Sequence, residues 1–151
     1  VNMIYWFTGQ PGSGKTELSN RLKHFMEEGR NFVYKVHQLD GDNVREIFQN
    51  KDYSEKGRRY NVDIVQKIAH YLHLSGQDVI VSLVSPYRDQ REKFKELIGE
   101  DLQEIYVYAT EDRPRAEYKV ADYQPPTENY ISFDTTGRNA DDNIQLLMKE
   151  L

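Results

Sequence analysis

"FTGQPGSGKTEL", residues 7–18, is the stretch on which the fold turns. The apolar residues just before it, 3–8, read as a short buried strand, and the glycines at 9, 12 and 14 as a tight turn that opens a helix over 15–28. Gly9, Gly14, Lys15 and Thr16 stand at the spacing G-x-x-x-x-G-K-[ST]. In that setting, backbone N–H groups and the helix N-terminus surround phosphate oxygens, the lysine reaches the β- and γ-phosphates, and the hydroxyl ligates Mg²⁺. Gly9, Pro11, Gly12, Ser13, Gly14, Lys15 and Thr16 are therefore the expected binding set for the nucleoside triphosphate, with Thr16 on Mg²⁺. The motif calls for a nucleoside triphosphate and leaves open whether a kinase, an ATPase or a GTPase uses it.

Working outward, residues 32–39 alternate as a strand and run into "DGDN", with a short helix expected over 44–48. Val62, Val65, Ile68, Ala69 and Leu72 recur at three- and four-residue spacing, which predicts an amphipathic helix from Ser54 to 74 that stops near Gly76. The nearly unbroken apolar run 79–84 suits a central parallel strand covered on both faces. A helix over 88–98, strands over 102–108 and 130–134, and a closing helix over 140–151 complete the pattern. Strands alternating with crossover helices imply an α/β, P-loop NTPase three-layer sandwich with a parallel central sheet of about five strands. All of 1–151 is expected to form one domain, with the polar, aperiodic stretch 109–129 as its loop or lid.

Composition narrows the function classes. A net charge of −5 argues against a surface for nucleic-acid polymers and suits a small phosphorylated ligand better. The lack of cysteine excludes disulfides and thiolate metal sites. No run approaches the roughly 20 apolar residues of a membrane span, so no membrane partner and a cytoplasmic location are expected. His70 and His73 lie three apart on one helix, but no third ligand accompanies them, and packed or surface histidines are the simpler reading.

Carboxylates decide between the phosphate chemistries. The strand 79–84 ends in "SPYRDQR" with no acid at its tip, whereas Asp40 and Asp42 of "QLDGDNVR" follow the second strand. The tip of a parallel strand faces the ligand crevice. The pair Asp40 and Asp42 then reads as a metal-side acid and a base beside an acceptor hydroxyl, with Arg45 as a holder of an anionic acceptor. The competing reading is an Asp-Gly-Asp turn whose acids cap the next helix.

"LDGDNVR", then "YS…RRYN" over 53–61 and "VSLVSPYRDQR" over 81–91, resemble the adenylylsulfate kinases over about residues 3–97. The resemblance implies transfer of phosphate from ATP to the 3′-hydroxyl of adenosine 5′-phosphosulfate, a small nucleotide acceptor, and a possible homodimer. By the resemblance Asp42, as the base or hydroxyl-orienting acid, and Lys15 would be catalytic groups together with Asp40, which would help to organise Mg²⁺. Arg45, Arg58 and Asn61 would hold the acceptor, Tyr53 its adenine, and Ser85, Pro86, Tyr87 and Arg88 would lie beside the transferred phosphate. Each has a plainer reading: solvated arginines, an Arg88 pair with Asp89 or Glu92, a polar helix asparagine, and Tyr53 as a hydrophobic staple.

The chain departs from that family after the fourth strand. "EYKV" at 117–120 and "DYQPP" at 122–126 resemble two parts of the family's lid, but most of what separates them in the family is absent. No lid aromatic has a clear counterpart, and Asp63 and Ile64 replace two arginines. Three readings stand: a minimal adenylylsulfate kinase in which Lys119 and Tyr123 fill in for the lid, a kinase of the same fold with another small acceptor, and a nucleotide-binding module with little catalysis. The retained Lys15, Thr16, Asp40 and Asp42 speak against the third.

Overall fold

In the computed structural model, which describes residues 2–111 and 118–151, the apolar run expected to be central is central. Strand β3 (Val79–Ser82) is buried at every position. It lies between β1 (Ile4–Thr8) and β2 (His37–Asp40), and β4 (Leu102–Tyr108) and β5 (Ile131–Asp134) extend the sheet beyond β1. The order is β2-β3-β1-β4-β5 and all pairings are parallel, giving the five-stranded parallel sheet that the sequence implied.

Successive strand residues point to opposite faces, and the two cores follow from that. Ile4, Trp6, Val79 and Val81 meet one core with Val44 of α2 (Gly41–Ile47), Val65 of α3 (Glu55–Leu74) and Phe94 of α4 (Arg88–Ile98). Phe7, Ile80, Ile105 and Val107 meet the other with Leu18 and Leu22 of α1 (Lys15–Glu28) and Leu147 of α5 (Ala140–Met148). Among the described residues, no helix is long and apolar enough to cross a membrane.

Several boundaries differ from the sequence reading, among them the end of α5 at Met148 rather than 151, and three have a clear local reason. The second strand starts at His37, not 32, because Asn31 (φ 53°) and Phe32 (φ 60°) are left-handed and Glu27 takes the Val36 N–H at 2.9 Å. Helix α2 starts at Gly41, not 44, because the Asp40 carboxylate accepts the Asp42 N–H at 2.8 Å and caps it. Strand β3 stops at Ser82, two residues early: the Thr8 hydroxyl donates to Val84 O at 2.7 Å, and Ser85 (φ 41°) turns the chain away from the sheet. Ser54 does cap α3, accepting the Gly57 N–H.

Candidate active site

The C-terminal ends of the parallel strands open on one side of the sheet, and the phosphate loop lies there between β1 and α1. Gly9 is required by contact as well as conformation: a Cβ on it would lie 2.2 Å from the Val107 carbonyl oxygen. Gly14 is left-handed (φ 99°) and starts α1 without a side-chain cap, so the first N–H groups of that helix are not taken by a side chain. Thr135, just past β5, braces the loop by donating its hydroxyl to Ser13 O at 2.6 Å. Lys15 is buried, its ammonium donating to Gln10 O at 3.2 Å, and the Thr16 side chain stands exposed on the first turn. The Ser13 hydroxyl is buried with no protein partner among the described residues.

A cleft of about 610 Å³ joins this loop to the acceptor-side candidates. Pro11, Lys15 and Thr16 line it from the loop, and Asp40, Asp42 and Arg45 from the second strand and α2. Tyr53, Arg58 and Asn61 face it from α3 and the chain before it, and Ser85 and Pro86 from the turn after β3.

Several of these side chains already carry structural duties. Asp40 caps α2 with one oxygen, so the capping reading holds for it alongside any metal role. Arg45 stacks on the Tyr53 ring at 4.2 Å and donates to Asn50 O and Asp52 O at 3.1 and 3.2 Å. Arg58 pairs with Asp122 at 3.4 Å, an exposed contact of small energetic weight. Asn61 is buried; its amide donates to Gly41 O at 3.4 Å, while its Oδ1 has no partner among the described residues. The Ser85 hydroxyl accepts from Trp6 Nε1 and donates to Thr8 Oγ1, both at 3.0 Å.

Four expectations are corrected. Tyr87 does not line the cleft; it is buried under Arg59, whose guanidinium lies 4.3 Å from its ring centre. Arg88 points to the returning chain, its Nε donating to Pro125 O and its N–H to Gln124 Oε1, both at 2.8 Å. It pairs with neither Asp89 nor Glu92: Arg59 takes Asp89 through two bonds and holds its carboxyl below the usual range, and Lys95 takes Glu92 at 3.1 Å. Lys119 is exposed and off the cleft, while its neighbours Tyr118 and Val120 line it. Tyr123 is no stand-in for a lid aromatic, because it stacks on Tyr106 with ring centres 6.0 Å apart and its hydroxyl meets Thr8 Oγ1 at 2.9 Å. Burial pushes its phenol well above the ordinary tyrosine range, so it stays protonated. Glu117, the first residue of "EYKV", lies outside the described residues, as do residues 112–116 of the expected lid.

The Asp63 and Ile64 departures do not reach the cleft either. Asp63 pairs with Lys67 at 2.6 Å on the outer side of α3, and Ile64 packs on the core. His73, three residues after His70 on α3, bonds to Asp101 at 3.1 Å.

The sequence reading missed Ser82, whose buried hydroxyl has no partner among the described residues and lines the cleft next to Asp40. A polar residue closing an apolar strand was the available signal. It also missed Tyr118, and a buried network in which Arg91 and Lys95 of α4 share Glu104 of β4 at 2.9 and 2.7 Å. For Mg²⁺ the donors fit: among the described residues no three His, Cys, Asp or Glu converge, but Thr16 and Asp40 offer oxygen to a cation that takes its other ligands from phosphate and water.

Comparison with known proteins gives a consistent result. A family model described as adenylylsulphate kinase matches residues 1–124. A probable adenylyl-sulfate kinase of Pyrococcus abyssi is 40% identical over 105 residues, which cover 69% of this chain and 58% of that protein. The matched segment likewise spans only about half, 52%, of the adenylyl-sulfate kinase of Bacillus velezensis. A probable adenylyl-sulfate kinase of Aeropyrum pernix is 30% identical over 168 residues, which cover 96% of this chain and 90% of that protein. The structure of an APS kinase of Mycobacterium tuberculosis, solved in complex with AMPPNP and APS, shares the fold with a TM-score of 0.80 at 22% identity, covering 98% of this chain and 96% of that one. The chain belongs to the adenylylsulphate kinase family.

Proposed function

We propose that this chain, acting as a single domain over 1–151, transfers the γ-phosphoryl group of ATP to the 3′-hydroxyl of adenosine 5′-phosphosulfate. The products are ADP and 3′-phosphoadenosine 5′-phosphosulfate. The observation that carries the reading is the single cleft lined both by Lys15 and Thr16 of the phosphate loop and by Asp42, Arg58 and Asn61. A nucleotide-binding module has no need of the second group.

Phosphoryl transfer is largely positioning and neutralisation of charge. The loop N–H groups and Lys15 hold the donor phosphates. Thr16 and Asp40 would hold Mg²⁺, whose chemistry there is to neutralise charge on the β- and γ-phosphates. Asp42, in the first turn of α2, accepts the proton of the acceptor hydroxyl and aims its oxygen at the γ-phosphorus. Asn61, which lines the cleft and whose buried Oδ1 has no partner among the described residues, receives a donor from the acceptor, and Arg58 faces its anionic group. Tyr53 and Tyr118 offer the aromatic surfaces for its base.

The test is formation of a 3′-phosphorylated product that requires both Mg²⁺-ATP and adenosine 5′-phosphosulfate. ADP release at the same rate without the acceptor refutes the kinase reading. A panel of nucleotide acceptors in which a sulfate-free one is clearly preferred moves the assignment to another acceptor of the same fold. Assembly as a homodimer belongs to the same proposal, and sedimentation of the purified chain reads it.

A further inference from the structure

Gln10 sits at a variable position of the phosphate loop, and its side chain points away from the phosphate site, toward the returning chain. Its amide nitrogen donates to Val120 O at 2.9 Å, and its Oε1 accepts the Val120 N–H at 2.8 Å. One primary amide thus meets both polar groups of one residue, as a neighbouring β-strand would; among side chains, only asparagine and glutamine carry such an amide, with an N–H donor and a carbonyl acceptor side by side. The main chain of the same residue works on the donor side, where Gln10 O accepts from the Lys15 ammonium and from the Ser13 N–H, both at 3.2 Å. Val120 and Tyr118 line the same cleft as Asp42 and Asn61, and the Gln124 N–H, four residues beyond Val120, donates to Pro86 O at 2.8 Å.

We propose that Gln10 is a positioning residue that sets the affinity for the acceptor from within the phosphate loop, by fixing the cleft wall formed by Tyr118 and Val120. This rests on reading the cleft as a kinase site. The wall belongs to a segment of irregular backbone, and such a segment keeps one position only where specific bonds hold it. Removing the paired bonds lets Val120 and Tyr118 sample other positions, and an acceptor that needs them in one place bears that cost on binding. ATP is held by the loop backbone and Lys15, which the substitution leaves in place.

The test compares wild type, Gln10→Met and Gln10→Ala by steady-state kinetics and by amide hydrogen exchange at Val120. Methionine keeps the length and bulk of glutamine and loses both hydrogen bonds. The acceptor KM is expected to rise about 30-fold in both variants, the size expected from two net hydrogen bonds, with the ATP KM within about twofold of wild type and faster exchange at Val120. A wild-type acceptor KM in Gln10→Met overturns the proposal, because bulk alone then suffices. An ATP KM that rises by the same factor also overturns it, because Gln10 then acts on the donor. If wild type leaves adenosine 5′-phosphosulfate unchanged, the functional reading fails in wild type itself, and the variants are compared on the acceptor that the panel identifies. Unchanged exchange at Val120 in Gln10→Met refutes the clamp whatever the acceptor is.

Discussion

Replacing Glu104 by glutamine tests the most deeply buried ion pair among the described residues. Glu104 is 1% exposed on β4 and Arg91 is 2% exposed on α4. The carboxylate takes Arg91 Nε at 2.9 Å and the Lys95 ammonium at 2.7 Å, so one anion serves two cations. Arg91 also donates to Ser85 O at 2.6 Å and to Gln124 O, and Lys95 donates to Glu128 O at 2.7 Å. Glu104→Gln is nearly isosteric, yet it removes the charge and turns an NH₂ group toward one of the cations. Breaking a buried pair costs about 3–5 kcal/mol. Lys95 lies nearer solvent than Arg91 and retains Glu92 at 3.1 Å, which puts the expected loss at the lower end, about 3 kcal/mol. For a chain of this size that lowers Tm by about 6–12 °C. The chain has one tryptophan, and Trp6 Nε1 bonds to Ser85, so its fluorescence reports unfolding beside the network in a urea titration. Glu55→Gln, which loosens an exposed pair with Arg59, is the control and should cost less than about 1 kcal/mol. A loss of that small size in Glu104→Gln refutes the reasoning, as does strict additivity of Glu104→Gln with Arg91→Met, because residues in contact should couple.

Three other perturbations probe the site and its support. Asp42→Asn should lower turnover by about 10²–10⁴-fold with ATP binding nearly unchanged, as expected of a group that works on the acceptor; undiminished turnover removes Asp42 from the reaction. Gly9→Ala should abolish tight ATP binding, since the added methyl lies 2.2 Å from the Val107 carbonyl oxygen and the loop must move; wild-type affinity in a nucleotide titration contradicts the loop geometry. Glu27→Gln should make stability less dependent on pH. The Val36 N–H, and then Lys23, hold the Glu27 carboxyl below its ordinary value of 4.5. Its contribution is therefore complete above that value and is lost as pH falls through the still lower folded one. The variant should be the less stable protein at pH 7, with the gap in urea midpoint closing on acidification below about 4.5. A gap that stays constant with pH shows that the carboxylate charge is not what matters.

What the sequence revealed and what it hid follow from the range of the interactions involved. The phosphate loop and β3 were legible because their constraints are local: a glycine spacing, and an apolar run buried on both faces. The start of β2 was misread because apolar identity does not imply burial. Val33 is 87% exposed and Phe32 44%, in a turn set by two left-handed residues that the alternation conceals. Among the arginines of "SPYRDQR", the sequence singles out Arg88 by motif position. The three-residue advance to Arg91 is what turns a guanidinium inward, and only the partner on β4 makes that burial tolerable. Lys119, Tyr118 and Val120 pose the same problem, because the irregular backbone there has no period from which to deduce the inward side.

The phosphate loop and the turn after β3 are held largely by contacts distant in sequence. Thr8 meets Val84 and Tyr123 across 76 and 115 residues, Gln10 meets Val120 across 110, and Thr135 meets Ser13 across 122. Ser85 is a left-handed non-glycine residue (φ 41°), a conformation that persists only when its surroundings over-determine it, and Trp6, Thr8 and Arg91 supply that constraint. A buried polar network of this kind strengthens the structure while every member is satisfied and weakens it steeply when one is lost. The turn after β3, which lines the cleft at Ser85, is therefore fixed from inside the molecule, by side chains of β1, α4 and β4 that do not line the cleft. Substitutions at Arg91, Glu104 or Tyr123 should accordingly alter acceptor binding without touching it, whereas exposed charges on the rim, such as the Arg58–Asp122 pair, should matter far less to stability than their nearness to the site suggests.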